Sequence, residues 1–304
     1  LVKYNSSGTQ QWSKQLGSES TDISEGLTND SSGNIYVTGY SFKAFDGNSR
    51  IGGYDAILVK YNSSGTKQWS RQFGTAQNDK GIGVAVDSSG NIYVTGYTKG
   101  TFSQPGGNSQ FGENDIFLIK FNSNGTQQWP SENGYCCQLG TNSNDYGYGI
   151  TIDSSDNIYI TGAVGGTLGD SENSAQGGND LFLVKYNSSG TKQWTKQLGT
   201  TVDDKAYGVT VDSSNNLYVS GFTNGSLDGN TNIGNRDFFL IKYSSDGTKQ
   251  WTKQFGTNVD DEGYGVASDS SNNIYVTGFT KGNYDGNSSS GGDDIVLVKY
   301  NSSG

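Results

Sequence analysis

Apolar residues arrive in short bursts, never in long runs, and the bursts recur at a fixed distance along the chain. The segment Leu1-Val2-Lys3-Tyr4-Asn5-Ser6-Ser7-Gly8 returns intact or nearly so at residues 58, 118, 183, 240 and 297. The spacing is 57 residues, stretched to 60 and 65 in the second and third copies. Self-similarity of this kind makes each copy one supersecondary unit. In the second copy, Gly83-Val84-Ala85-Val86 is a β-prone burst, followed by the turn Asp87-Ser88-Ser89-Gly90. Asn91 to Gly96 is a second strand, rich in β-branched and aromatic residues. A polar, glycine-rich connection leads to Asp115 and a third strand, Ile116 to Phe121. After the turn Asn122-Ser123-Asn124-Gly125, a fourth strand is expected from Thr126 through Trp129. Nothing between these segments has the 3.6-residue period of a helix, so the unit reads as a four-stranded antiparallel meander.

The four strands differ in character. The third is apolar on both faces, as in Ala56-Ile57-Leu58-Val59 and Phe238-Phe239-Leu240-Ile241, which suits a sheet sandwiched between neighbours. The fourth is Lys, Gln, Thr and Ser around Trp12, Trp69, Trp129, Trp194 and Trp251. Lysines deter edge-to-edge pairing on an outermost strand, and one large aromatic packs on the adjacent unit. The pattern predicts an all-β fold, a β-propeller of four-stranded antiparallel blades. One domain spans 1–304, with five repeats starting at 1, 58, 118, 183 and 240 and a partial sixth at 297. A β-solenoid fits less well, because its coils are shorter and lack such a polar fourth strand. The chain opens and closes on a third strand, in mid-repeat. Strand 9–16 is therefore expected to pair with 295–300 of the same or a neighbouring molecule, closing five blades. Residues 1–8 and 297–304 are identical and compete for that place, which keeps a segment of a longer array as the alternative.

The string Asp-x-x-Leu-Val-Lys-Tyr-Asn-Ser-Ser-Gly-Thr-x-Gln-Trp, followed by Gly-Val-x-Val-Asp-Ser-Ser-Gly-Asn-Ile-Tyr-Val-Thr-Gly, resembles the bacterial β-propeller repeat (SBBP). It is more distantly similar to NHL and PQQ-type propeller repeats. The resemblance covers essentially the whole chain. It implies secreted or surface-exposed proteins and carries over no catalytic residue. Quinone binding is not implied, since only the strand-turn-Trp element is shared.

Only 31% of residues are hydrophobic, but their fixed recurrence argues against disorder. No apolar run approaches the roughly 18 residues that span a bilayer. With a net charge of −10 and only Arg50, Arg71 and Arg236 for forked phosphate contacts, nucleic acid is not an expected partner. The chain has no histidine, which removes Ser-His-Asp and Cys-His arrangements and zinc sites of the usual Cys/His kind. Its aspartates are serial: Asp22, Asp79, Asp145, Asp204 and Asp261 follow a glycine by five residues. Asp55, Asp115, Asp180, Asp237 and Asp294 precede the third strand, and Asp30, Asp87, Asp153, Asp212 and Asp269 open the Ser-Ser turn. Periodic placement is what turn and cap duties predict. Glutamate is less regular: Glu25 replaces the residue equivalent to Ile82 on an inner strand, where it reads as a solvated channel residue. On these grounds the chain is expected not to be an enzyme.

Calcium is the candidate cofactor. Asp46 with Asn48, Asp228 with Asn230 and Asp285 with Asn287 flank a glycine and place oxygen ligands two residues apart, as hard cations prefer, although a plain Asx-type turn explains them equally simply. Tyr135, Cys136 and Cys137 lie in the insertion after Trp129, the largest break of repeat symmetry, and are candidate partner-binding residues. The connections 40–54, 97–114, 163–179, 222–236 and 279–293 hold the length variation and most exposed aromatic residues. The expected role is an extracellular or cell-surface scaffold binding protein or glycan at this loop rim, with self-assembly allowed. A repetitive surface fibre and a carbohydrate-active enzyme using Asp/Glu are the alternatives.

Overall fold

The computed structural model describes residues 1–102, 112–129, 138–169 and 175–304. Its first complete sheet sets Asp22–Asn29, Ile35–Ser41, Asp55–Tyr61 and Lys67–Phe73 side by side, antiparallel throughout. The same meander recurs in a second sheet (Asp79–Val86, Ile92–Thr98, Asp115–Phe121, Gln138–Leu139) and in a third (Asp145–Ile152, Ile158–Val164, Asp180–Tyr186, Lys192–Leu198). It recurs again in a fourth sheet (Asp204–Val211, Leu217–Thr223, Asp237–Tyr243, Lys249–Phe255). A last, three-stranded sheet holds Asp261–Ser268, Ile274–Thr280 and Asp294–Tyr300, and a hairpin of Val2–Tyr4 with Gln10–Ser13 opens the chain. Among the described residues the one helical element is a single 3₁₀ turn, Leu227–Gly229. Contacts divide the chain into two compact units, Leu1–Gln110 with Phe117–Gln138, and Phe111–Ile116 with Leu139–Gly304.

Local chemistry explains the strand ends. The Asp87 carboxylate accepts the backbone N–H groups of Ser89 (3.0 Å) and Asn91 (2.8 Å), which folds the chain back between inner and second strands. This turn needs a left-handed residue at its fourth position, and Gly33, Gly90, Asp156, Asn215 and Asn272 all adopt positive φ there. These are the residue types that tolerate that region. Asn62 does the same for the outer hairpin, accepting from the N–H of Ser64 (3.1 Å) and Thr66 (2.8 Å).

Within each unit, neighbouring sheets are tied at the outer edge. A Cβ added to Gly125 would lie 3.0 Å from the Trp69 indole, and one on Gly247 equally close to Trp194, so each tryptophan lies flat on the next repeat's turn. Lysines of the third strand reach across to the same turns: Lys60 Nζ donates to the Ser123 carbonyl (3.1 Å) and Lys185 Nζ to that of Ser245 (3.0 Å). Apolar third-strand residues fill the space between. In the second unit Leu181 and Leu183 pack with Val209, Val219, Phe239 and Ile241 of the following sheet, all buried.

One sequence expectation needs correction. Thr126 to Trp129 is not a continuous outer strand: only a bridge from Phe121 to Gln127 forms, and the outer strand of that repeat is Gln138–Leu139. Gln138 takes the place that Gln72 holds in the first sheet, each receiving a loop N–H on its side-chain oxygen. The pairing expected between 9–16 and 295–300 is not shown. Gln10–Ser13 pairs with Val2–Tyr4, and Asp294–Tyr300 ends its sheet as an edge. A local hairpin closes a far shorter loop than a pairing across almost the whole chain, and its loop entropy is correspondingly smaller.

Candidate functional site

Every inner strand carries one residue that its pairing with the second strand skips: Glu25, Ile82, Tyr148, Tyr207 and Tyr264. A bulge leaves such a residue outside the ladder and re-aims its side chain. In the second unit all three are tyrosines. Tyr148 and Tyr207 have ring centroids 5.0 Å apart, Tyr207 and Tyr264 5.2 Å, and Tyr146 stacks on Tyr148 at 5.9 Å. The result is a continuous aromatic track across three sheets. Burial first, then the nearby Glu262 charge, push the Tyr207 hydroxyl well above the ordinary tyrosine range, so it is a neutral hydrogen-bonding group.

Arg236 is joined to this track through Glu262. It precedes Asp237, whose carboxylate accepts the N–H of Ile233 (2.7 Å) and the Gln254 amide (2.8 Å) and so fixes the connection ahead of the third strand. Arg236 Nη1 is ion-paired with Glu262, whose side chain is only 5% exposed, and Tyr264 Oη donates to Glu262 Oε2 at 3.1 Å. The guanidinium also lies 4.9 Å from the centroid of Phe222. Beside it opens a cleft of about 450 Å³ lined by Asn224, Asn232, Arg236 and Asp260, among others. A hydrogen bond from Lys281 (2.9 Å), aided by the Lys281 and Arg236 charges, holds the Asp260 carboxyl below its usual range. Asn224 Oδ1 is buried without a hydrogen-bond donor. The cleft thus offers a guanidinium and an ionised carboxylate, and Arg236 is linked through Glu262 to Tyr264 of the tyrosine row. That set suits a ligand rich in hydroxyl groups, with flat apolar faces for the rings.

The corresponding junction in the first unit differs. Tyr54 occupies the position of Arg236 and Lys80 that of Glu262, and the Lys80 ammonium sits 4.3 Å from the Tyr40 ring centroid and 5.2 Å from that of Tyr54. Aromatic rings there surround the cation.

The serial aspartates hold the repeats together. Asp79 accepts the N–H of Thr75 at 2.6 Å, and Asp145 and Asp204 accept those of Thr141 and Thr200 at 2.5 Å. Burial pushes all three carboxyls up to about 6. A folded-state value above the unfolded value of about 3.9 means that the fold binds these protons more tightly, so their contribution is full below pH 4 and is lost as pH rises through 6. Denaturant unfolding is therefore expected to show greater stability at pH 5 than at pH 7, and Asp204→Asn to shrink the difference. Lower stability at pH 5 would contradict the assignment. Below pH 4 the trend reverses, because Asp30, Asp153 and Asp269 have lowered values and lose their turn bonds on protonation.

The three calcium candidates prove to be tight turns. Asp46, Asp228 and Asp285 each have positive φ, as do Gly47, Gly229 and Gly286 after them, and paired left-handed residues make a type I′ turn. Lys67 is ion-paired with Asp46 and Lys249 with Asp228, so a cation at either would have to displace an ammonium group. Asn48 and Asn230 turn their amide N–H groups to the carbonyls of Phe45 (2.8 Å) and Leu227 (2.9 Å), and Asn287 does so to Tyr284 (3.2 Å). Glu25 occupies the bulge of the first sheet and is exposed. Tyr135, Cys136 and Cys137 lie outside the described residues. Glu262, Asp260 and the tyrosine track were not singled out by the sequence; Arg236 was named only among the three arginines and lies in the connection 222–236.

A model of the SBBP β-propeller repeat matches residues 11–41, 68–102, 137–163, 193–228 and 250–285, more than half of the chain. The chain belongs to the SBBP β-propeller repeat family. This SBBP chain is 25% identical, over 353 aligned positions, to an uncharacterized WD repeat-containing protein of Acanthamoeba polyphaga mimivirus. The match covers 91% of the chain but only 25% of that relative, so the chain spans about a quarter of its length. Among solved structures it is similar to a glucose dehydrogenase (11% identity, 99% of this chain and 90% of that one, TM-score 0.50). It is also similar to a gluconolactonase from Xanthomonas campestris (11% identity, 91% and 72%, TM-score 0.47). At such identity the likeness is one of fold. It nonetheless corrects the expectation that the chain is not an enzyme: the fold shared with the glucose dehydrogenase is one on which catalysis is built, and the missing histidine excludes only chemistry that needs histidine.

Proposed function

We propose that this chain is a carbohydrate-active propeller and that the Arg236 cleft, with its tyrosine track, receives the saccharide. The carrying observation is the junction itself: a 42% exposed guanidinium and an ionised carboxylate lining one cleft, with the guanidinium linked through Glu262 to a row of tyrosine rings. Tyrosine faces pack on the C–H faces of pyranose rings, while the guanidinium fork and Asp260 exchange hydrogen bonds with vicinal hydroxyls. A net charge of −10 repels polyanions at long range, so the preferred ligand is a neutral oligosaccharide. Asp260, kept ionised by Lys281, is a hydrogen-bond acceptor for a bound hydroxyl. An extracellular or surface location belongs to the same proposal, because polymeric glycans are met there. The test is a glycan array of neutral and acidic oligosaccharides, run beside hydrolase, lactonase and sugar-dehydrogenase assays. Binding or turnover confined to neutral sugars is expected; silence in all of them would remove the reading.

A further inference from the structure

Cations stand at three junctions between consecutive sheets, and at two of them the chain supplies the balancing carboxylate. Between the fourth and fifth sheets, Arg236 is paired with Glu262, and Asp260, just ahead of the inner strand Asp261–Ser268, accepts from Lys281 at 2.9 Å. Between the third and fourth sheets the residue in the place of Asp260 is Asp203, within reach of the Lys205 charge. Between the first and second sheets it is Asn78, a neutral amide. Asn78 keeps the structural duty: its Oδ1 accepts the Tyr54 N–H at 2.9 Å, as Asp203 accepts that of Asn179 at 2.9 Å. What it does not supply is charge. Lys80 stands in the place of Glu262 and Lys99 in that of Lys281, the Lys99 N–H meeting the Asn78 carbonyl (2.8 Å) as the Lys281 N–H meets that of Asp260 (3.0 Å). Among the described residues neither ammonium group has a carboxylate partner. Rings line the junction instead. Lys80 Nζ lies 4.3, 5.2 and 5.8 Å from the ring centroids of Tyr40, Tyr54 and Tyr97. Phe42, exposed and 5.1 Å from Tyr54, extends this wall and carries the Arg50 guanidinium 4.9 Å from its own centroid.

We propose that this junction of the first and second sheets binds a small organic monocarboxylate with an aromatic body. Ring faces attract an ammonium group but offer its N–H groups no oxygen, so Lys80 keeps donors for an anion that enters beside it. The chain itself shows which anion fits. A carboxylate occupies this position as Asp260 between the fourth and fifth sheets, where a lysine at the Lys99 position bonds it. At the first junction the carboxylate of the ligand replaces the one that Asn78 lacks, taking charge-assisted hydrogen bonds from Lys80 and Lys99. Its ring packs on Tyr54 and Phe42, whose faces continue from the cation outward. The net charge of −10 opposes polyanions at long range, which favours a ligand with a single negative charge. The site is separate from the Arg236 cleft and does not rest on the saccharide reading.

Calorimetric titration of the full chain with phenylacetate, and with its neutral counterpart phenylacetamide, tests this. Wild type is expected to bind the acid and not the amide, and to bind acetate more weakly for want of ring contacts. Asn78→Asp places the chain's own carboxylate in the site, in the manner of Asp203 and Asp260, and should fold normally while losing at least about tenfold in phenylacetate affinity. Lys80→Met should lose as much. Arg236→Met/Glu262→Gln should bind phenylacetate as wild type does, so that a failure of the saccharide site leaves this result standing. Wild type that ignores phenylacetate, equal binding of acid and amide, acetate bound as tightly as phenylacetate, or an Asn78→Asp variant that binds like wild type would each overturn the proposal.

Discussion

Replacing Arg236 by methionine is expected to lower stability by about 2 kcal/mol, and adding Glu262→Gln to restore most of it. The reason lies in the asymmetry of the pair. Arg236 is partly exposed and keeps some hydration, but Glu262 is almost fully buried, with Tyr264 as its other side-chain donor. Removing the guanidinium leaves a desolvated carboxylate with one hydroxyl for company. Breaking a fully buried pair costs roughly 3–5 kcal/mol, and the exposure of Arg236 argues for less. The double variant carries a neutral amide that Tyr264 still serves. Denaturant curves for the two single variants and the double variant form the measurement. An Arg236→Met variant as stable as wild type would show that the pair does not hold the junction.

Gly221→Ala is expected to cost about 3 kcal/mol, far more than an alanine at Gly229. The bulge at Tyr207 presses the inner strand onto its neighbour, and a Cβ on Gly221 would stand 1.9 Å from the Lys205 carbonyl oxygen. Both groups are backbone, so no side chain can swing away. Gly39, Gly96, Gly162 and Gly278 meet the same obstruction, at 1.8 to 1.9 Å, in the other repeats. Gly229 has nothing within 4 Å, and an alanine there carries only the strain of φ +77, about 1 kcal/mol. Denaturation midpoints of the two variants decide the matter. Equal midpoints would mean that the bulge does not set the glycine.

Strand positions were legible because each depends on neighbours close in sequence. The β-branched and aromatic content of Ile92–Thr98, the Asp87 turn and the tryptophan of the outer strand are local signals, and the strands lie where these place them. The partner of the opening outer strand was not legible because pairing is settled by competition. Gln10–Ser13 has two suitors of identical sequence, and sequence alone does not weigh a short loop against a long one. The outer strand of the second repeat was misread because an insertion interrupts it after Trp129. The site was hidden for a different reason. Arg236 and Glu262 belong to different repeats, and their meeting depends on how one sheet packs on the next. A signal did exist in the variable position of the inner strand, held by Glu25, Ile82, Tyr148, Tyr207 and Tyr264. Reading that column for its acid drew attention to the first repeat. Reading it for its three tyrosines would have pointed to the second unit.

The most direct test of the saccharide site is calorimetric titration of neutral gluco-oligosaccharides into wild type, the Arg236→Met/Glu262→Gln double variant and Lys80→Met. Lys80 stands at the equivalent junction of the first unit, enclosed by aromatic rings, and serves as the control. Wild type and Lys80→Met should bind alike, while the double variant, folded by circular dichroism, should lose at least about tenfold in affinity, the loss of one charge-assisted contact. A double variant that binds as tightly as wild type would contradict the assignment of the site to Arg236.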